Sequence, residues 1–246
     1  MKICVAQTRP ITGDVSRNID THRRIIDLAA LHGVDIIIFP ELSITGYEPT
    51  LAKALATQAD DERFSLLQTL CDSKKIVIGV GMPIRTDDGI AIGMILFRPR
   101  RAREIYFKQY IHPDEEPYFI NGIHRRVLSE TNIAIAVCYE ISIPRHADQA
   151  HEDGATIYIA SVAKTPAGVR QAIETLSATA KKFSMTVLMA NCVGINDGSA
   201  CGGRSSVWNN EGTLLGQLNE RDEGFIVFDT STQEVIKEQK EYSFLK

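Results

Sequence analysis

Val34-Asp35-Ile36-Ile37-Ile38-Phe39-Pro40-Glu41 is an apolar, β-branched run that stops at a proline and a carboxylate. A short run of this kind closed by a breaker reads as a buried strand, covered on both faces. Proline cannot continue the ladder, so Glu41 stands at the strand's C-terminal end, where α/β sheets place their sites. Position alone leaves Glu41 equally readable as the first solvated residue past a strand.

Upstream, residues 2–7 repeat the strand pattern. Between the two runs, Ser16 or Asn18 can cap a helix with the stripe Ile19, Ile26 and Ala30 and with Gly33 at its end. Downstream, Leu66, Leu67, Leu70 and Cys71 suggest a second helix, and residues 75–81 a strand. Asp87-Asp88-Gly89 signals a turn into another strand at 91–98, which predicts antiparallel pairing. Strands at 133–138, 156–160 and 186–190 then alternate with helices at 144–153 and around Val169, Ile173, Leu176, Ala180 and Phe183. The tail returns to short strands at 205–208, 214–218 and 225–228, the first two joined by the Asn210-Glu211-Gly212 turn. Without a linker or repeat, this predicts one α/β domain over residues 1–246 with mixed sheets. Residues 109–127 have no periodicity, and loops of that size carry function or mobility.

A net charge of −4 and an arginine cluster (Arg98, Arg100, Arg101, Arg103) that stops at Glu104 argue against nucleic acid as a partner. No apolar stretch approaches a membrane span, and the first seven residues do not read as a signal peptide. Cys4, Cys71, Cys138, Cys192 and Cys201 are odd in number and scattered, without a C-x-x-C pair. They fit the reduced thiols of a cytoplasmic protein better than a disulfide framework or a zinc site. His146 and His151 lie off a common helical face, and no metal or other cofactor is expected.

Three features carry chemistry. Ala136-Val137-Cys138-Tyr139-Glu140 ends an apolar run at a thiol ahead of a helix start, whose dipoles favour thiolate, although a cysteine so placed is more often a small core residue. Ile105-Tyr106-Phe107-Lys108 ends in a lysine before the long loop, and Asp114, Glu115 and Glu116 in that loop read by themselves as a surface acidic patch. Glu41 is the third. Lys108 follows Glu41 by 67 residues and Cys138 follows Lys108 by 30. In this order and with these flanks, Pro40-Glu41 with Gly46-Tyr47, then Lys108, then Cys138-Tyr139-Glu140 resemble the nitrilase superfamily of carbon–nitrogen hydrolases. The resemblance extends to the opening Ala6-Gln7 strand, residues 35–41 and 154–161, and Gly202-Gly203-Arg204-Ser205-Ser206 with its Gly212 turn.

The resemblance implies a four-layer α-β-β-α sandwich with two mixed sheets, nitrilase-like, assembling as a homodimer or larger homo-oligomer. It implies hydrolysis of a non-peptide C–N bond in a small linear amide, through a thioester on Cys138. Glu41 would be the base, and Lys108 with the backbone N–H of Tyr139 would hold the oxyanion. Glu116, eight residues after the lysine, takes the place of a supporting carboxylate, with Glu115 its adjacent rival. N-carbamoyl, ureide or nitrile hydrolysis and acyl transfer use the same residues, whereas a non-catalytic binding protein needs none of the three. Two positions depart from the pattern. Tyr110 stands where a histidine is frequent, with His112 displaced, and 160–164 lacks an aromatic residue. Lys164 there can meet an anionic substrate group, although a lysine before a helix also reads as surface charge. Cys192 and Cys201 read as core or loop thiols and Trp208 as packing.

Overall fold

A computed structural model of the chain describes residues 1–122, 128 and 131–239. Residues 123–127 of the expected loop and 240–246 of the expected domain lie outside the described residues. The first half of the chain forms β1 (Lys2–Gln7), α1 (Val15–Ala30), β2 (Ile36–Ile38), α2 (Ala52–Leu55), α3 (Ser65–Lys74), β3 (Val77–Arg85), β4 (Ile90–Phe97) and β5 (Glu104–Phe107). The second half forms β6 (Ile133–Val137), α4 (Pro144–Glu152), β7 (Ile157–Ser161), α5 (Pro166–Phe183) and β8 (Thr186–Ala190). It closes with β9 (Ile195–Asn196), β10 (Ser199–Ala200), β11 (Ser206–Trp208), β12 (Leu214–Gln217), β13 (Gly224–Asp229) and β14 (Val235–Gln239).

Two mixed sheets result. One has the order β14-β13-β1-β2-β3-β4-β5, and the other β12-β11-β8-β7-β6. In the first, β1, β2 and β3 are parallel and β3, β4 and β5 antiparallel in turn, so β2 and β5 point the same way. In the second, β6, β7 and β8 are parallel.

Period-two alternation sorts side chains into layers. Ile3, Val5, Ile36 and Ile38 of the first sheet meet Ile133, Ile135, Val137 and Ile159 of the second in a shared core. Their neighbours Cys4, Ala6, Ile37 and Phe39 face the other way and pack with Ile19, Ile26, Leu67 and Cys71 of α1 and α3. Ala134, Ala136, Tyr158 and Ala160 pack instead with Ala147, Ala150, Val169, Leu176 and Trp208 on the α4–α5 side. The architecture is therefore the expected α-β-β-α sandwich.

Local details differ from the sequence reading for identifiable reasons. Asp14, not Ser16 or Asn18, caps α1, its carboxylate accepting from the Arg17 N–H at 3.1 Å. Asn18 is buried inside the helix and its amide bonds the backbone of Ile11 and Ile44. The strand expected from residue 75 starts at Val77, because Lys75 ends α3 in the left-handed conformation at φ 57°.

Candidate active site

Each candidate side chain stands just past the end of a strand. Pro40-Glu41 follows β2 and Lys108 follows β5, at the same end of the first sheet; Cys138 follows β6 of the second. The Glu41 turn is tight, with Leu42 at φ 49°. It packs against Gly81 of β3, where any Cβ would fall on the Leu42 backbone nitrogen. Cys138 is also left-handed, at φ 44°, which turns its side chain sharply out of the strand. Non-glycine residues rarely adopt this conformation, and it clusters at functional positions.

The three converge. The Lys108 Nζ, fully buried, donates to Glu41 Oε1 at 2.8 Å and to Glu115 Oε1 at 2.8 Å. Glu115 is also buried; its Oε1 accepts the Tyr47 hydroxyl at 2.9 Å and its Oε2 the His112 N–H at 2.6 Å. Glu116, the supporting carboxylate expected from spacing, is exposed, and Glu115 takes the place beside the lysine. The reason is local. The turn Pro113–Glu115, capped by the paired His112 and Glu115 bonds, aims residue 115 inward and residue 116 out. Tyr139 lies in the turn Cys138–Ser142, its ring edge-on to His112 with centroids 5.0 Å apart.

Glu140, named at first only as part of a motif, ties the sheets together behind the site. Its Oε2 accepts the Val137 N–H at 2.6 Å and the Tyr106 hydroxyl at 2.8 Å, and its Oε1 accepts the Gln109 N–H at 2.6 Å. One carboxylate thus grips the residues adjoining Cys138 and Lys108. A carboxylate just past the end of an apolar run was its signal in the sequence. The Tyr47 hydroxyl was signalled only by the Gly46-Tyr47 pair.

Burial first, then the Glu41 charge, pushes the Cys138 thiol up to about 12, against the opposing pull of Lys164, Lys108 and the Ala163 backbone. A thiol so raised is protonated at neutral pH. Burial also raises Glu41, against the lowering effect of Lys108 and with a further push from Glu115. Its second oxygen, Oε2, has no nitrogen or oxygen partner among the described residues, and the Cys138 thiol lies close enough to the carboxylate to pull it down. Burial alone would lower Lys108, but Glu41, Cys138 and Glu115 outweigh it, so the ammonium stays charged. A protonated thiol, a buried carboxylate and a fixed cation thus occupy one buried spot. Among the described residues no group of three or more His, Cys, Asp or Glu is placed to hold a metal.

A cavity of about 370 Å³ lies alongside, lined by Tyr47, Asp114, Tyr118, Ala163, Asn196 and Cys201 among others. The trio does not line it directly. Tyr47, through Glu115, and Ala163, through Cys138, connect the two.

The family model described as carbon–nitrogen hydrolase matches residues 2–238. A glutamine-dependent NAD(+) synthetase of Acinetobacter baylyi is 25% identical over 226 residues, 88% of this chain and 41% of that protein. The chain spans less than half the length of the synthetases it matches. A protein of Staphylococcus aureus named hydrolase in agr operon is 24% identical over 255 residues, covering 100% of this chain and 97% of its own. Among solved structures, a cysteine-to-alanine variant of the amidase from Nesterenkonia sp. AN1, in complex with butyramide, superposes with a TM-score of 0.85 at 24% identity. That match covers 95% of this chain and 92% of the amidase, and likeness at that identity bears on the fold.

Proposed function

The chain belongs to the carbon–nitrogen hydrolase family, and we propose that it cleaves a small linear amide through a thioester on Cys138. The observation that carries this reading is the buried contact of Lys108 with Glu41 beside a thiol held in its protonated form. Glu41 Oε2 takes the thiol proton as sulfur attacks the amide carbon. The C–S bond forms, and negative charge develops on the carbonyl oxygen. Lys108, with the Tyr139 N–H, stabilises that oxyanion, and such preorganised donors contribute several kcal/mol. The intermediate collapses, the C–N bond breaks, and Glu41 returns its proton to the departing ammonia or amine. Water, activated by the same carboxylate, then releases the acid. Glu115 positions the Lys108 ammonium and balances its charge.

The amidase neighbours support the substrate class: a cysteine-to-alanine variant of the Nesterenkonia enzyme holds butyramide, and in another variant the acetamide moiety of fluoroacetamide is covalently added at the active-site cysteine. Glutamine belongs in any substrate panel, because several relatives are glutamine-dependent. A single domain over the whole sequence, a homodimer or larger assembly and a cytoplasmic location complete the proposal. Among the described residues no helix is long and apolar enough to cross a membrane.

The test is a quenched-flow mass measurement with aliphatic amides, N-carbamoyl compounds, nitriles and glutamine. An acyl adduct is expected on the Cys138 peptide, with no turnover by Cys138→Ala. Glu41→Gln should slow acylation by ~10²–10⁴-fold, the typical effect of a positioned base. Turnover surviving in Cys138→Ala would overturn the assignment. Transfer to added hydroxylamine without net hydrolysis would instead favour an acyltransferase.

A further inference from the structure

Cys192 lies two residues past β8, and Cys201 is reached after the β9–β10 hairpin. Backbone bonds hold the two segments side by side: Cys201 N–H to Gly194 O and Gly203 N–H to Cys192 O, both 2.9 Å. The two sulfurs are 2.7 Å apart, and the Asn196 Nδ2 lies 3.2 Å from one and 3.1 Å from the other. Their surroundings are unequal. Cys192 is sealed in the core at 1% exposure, whereas Cys201, at 9%, lines the cavity beside the candidate active site.

We propose that Cys192 and Cys201 form an oxidisable dithiol, a second site of thiol chemistry apart from Cys138, which reacts with small disulfides and closes into an intramolecular disulfide. Cys201 is the attacking thiol. It is within reach of the cavity, and the bond from Cys192, then that from Asn196 and the Arg9 charge, bring its thiol below the ordinary value against the effect of burial. Cys192, raised well above the ordinary value by burial, is the resolving thiol. The Cys201 thiolate attacks a disulfide RSSR, one S–S bond forms, another breaks, and RS⁻ leaves. Cys192 then attacks the Cys201 sulfur, the second RS⁻ leaves, and the two protons lost by the cysteines end on the two RSH products. Two thiols are oxidised and one external disulfide is reduced.

The segment between the cysteines carries Asn196, Asp197, Ser199 and Ala200, all on the cavity wall. Among the described residues the buried Oδ1 of Asn196 has no partner. The new bond therefore staples both ends of a segment that lines the cavity. That effect on substrate rests on the amide reading; the dithiol itself does not.

The experiment treats the intact protein with bis(2-hydroxyethyl) disulfide, quenches in acid, blocks thiols with N-ethylmaleimide and maps peptides without reduction. Loss of two hydrogens and a Cys192–Cys201 linked peptide, reversed by dithiothreitol, are expected. Cys192→Ser should stop at the mixed disulfide on Cys201, and Cys201→Ser should leave Cys192 unmodified. Recovery of both wild-type cysteines as separate maleimide adducts, or linkage of either to Cys138, would overturn the proposal. No substrate is needed, so this outcome is independent of whether the amide reading stands. Where an amide is turned over, oxidation should change KM severalfold in wild type and leave Cys192→Ser Cys201→Ser unaffected; an equal KM in both states would refute the coupling to the cavity.

Discussion

Two carboxylates share one buried ammonium, and they are not equivalent. Among the described residues Glu41 Oε2 has no nitrogen or oxygen partner, whereas both Glu115 oxygens are bonded, to Lys108, Tyr47 and the His112 N–H. On the proposed amide chemistry Glu115 is a brace and Glu41 the base. Glu115→Gln should lower kcat by ~10²-fold, the scale of a misplaced catalytic group, with the fold intact. Glu116→Gln, at an exposed position, should leave kcat/KM near wild type; steady-state rates on one amide separate the two. The order and flanks of Glu41, Lys108 and Cys138 were legible in the sequence. The choice between adjacent glutamates was not, because it depends on a single turn of chain after His112 that spacing does not encode.

Glu140 makes a further prediction at this scale. Burial pushes its carboxyl up to about 7, although its bonds from Val137, Gln109 and Tyr106 pull it down. An acid with a raised folded-state pKa holds its proton more tightly folded than unfolded. Its stabilising contribution is full below the ordinary glutamate value of about 4.3 and is lost as pH climbs through about 7. Wild-type Tm should carry a falling component between about pH 4 and 7. Glu140→Gln, which does not titrate, should lower Tm overall but remove that component; an unaltered slope across the same range would mean another group is responsible.

Among the elements, β3 shows how a strand can shape a site that it does not itself supply. Gly81 leaves room for the turn that carries Glu41, and Leu42 at φ 49° has little freedom to retreat. Gly81→Ala should cost ~1–3 kcal/mol by overpacking, read as a lower urea midpoint, and should also impair the proposed acylation, because Leu42 adjoins Glu41. Long apolar runs such as β6 and β8 were readable from composition because both faces are covered. β14 was missed because it is an edge strand that mixes Val235 and Ile236 with Lys237, Glu238 and Gln239, most of them at least partly exposed. The β9–β10 hairpin has only two residues in each strand, too short for any period to appear.

The whole molecule depends on the core between the sheets. Ile135 is fully buried there, and Ile135→Ala should cost ~2–5 kcal/mol, measurable by urea unfolding. Apolar contacts of this kind are non-directional, so polar bridges add alignment. The Ser161 hydroxyl donates to the Phe39 carbonyl at 2.8 Å, directly before Pro40-Glu41. Gln7 Oε1 accepts the Ser205 N–H at 2.9 Å, and Glu140 spans the remaining gap.

Because Glu41 and Lys108 ride on one slab and the Cys138 sulfur on the other, neither half is a transferable part. A chimera that exchanged one slab with a distant cousin could fold well and still be inert, since its acid and its thiol would never have been gauged against each other.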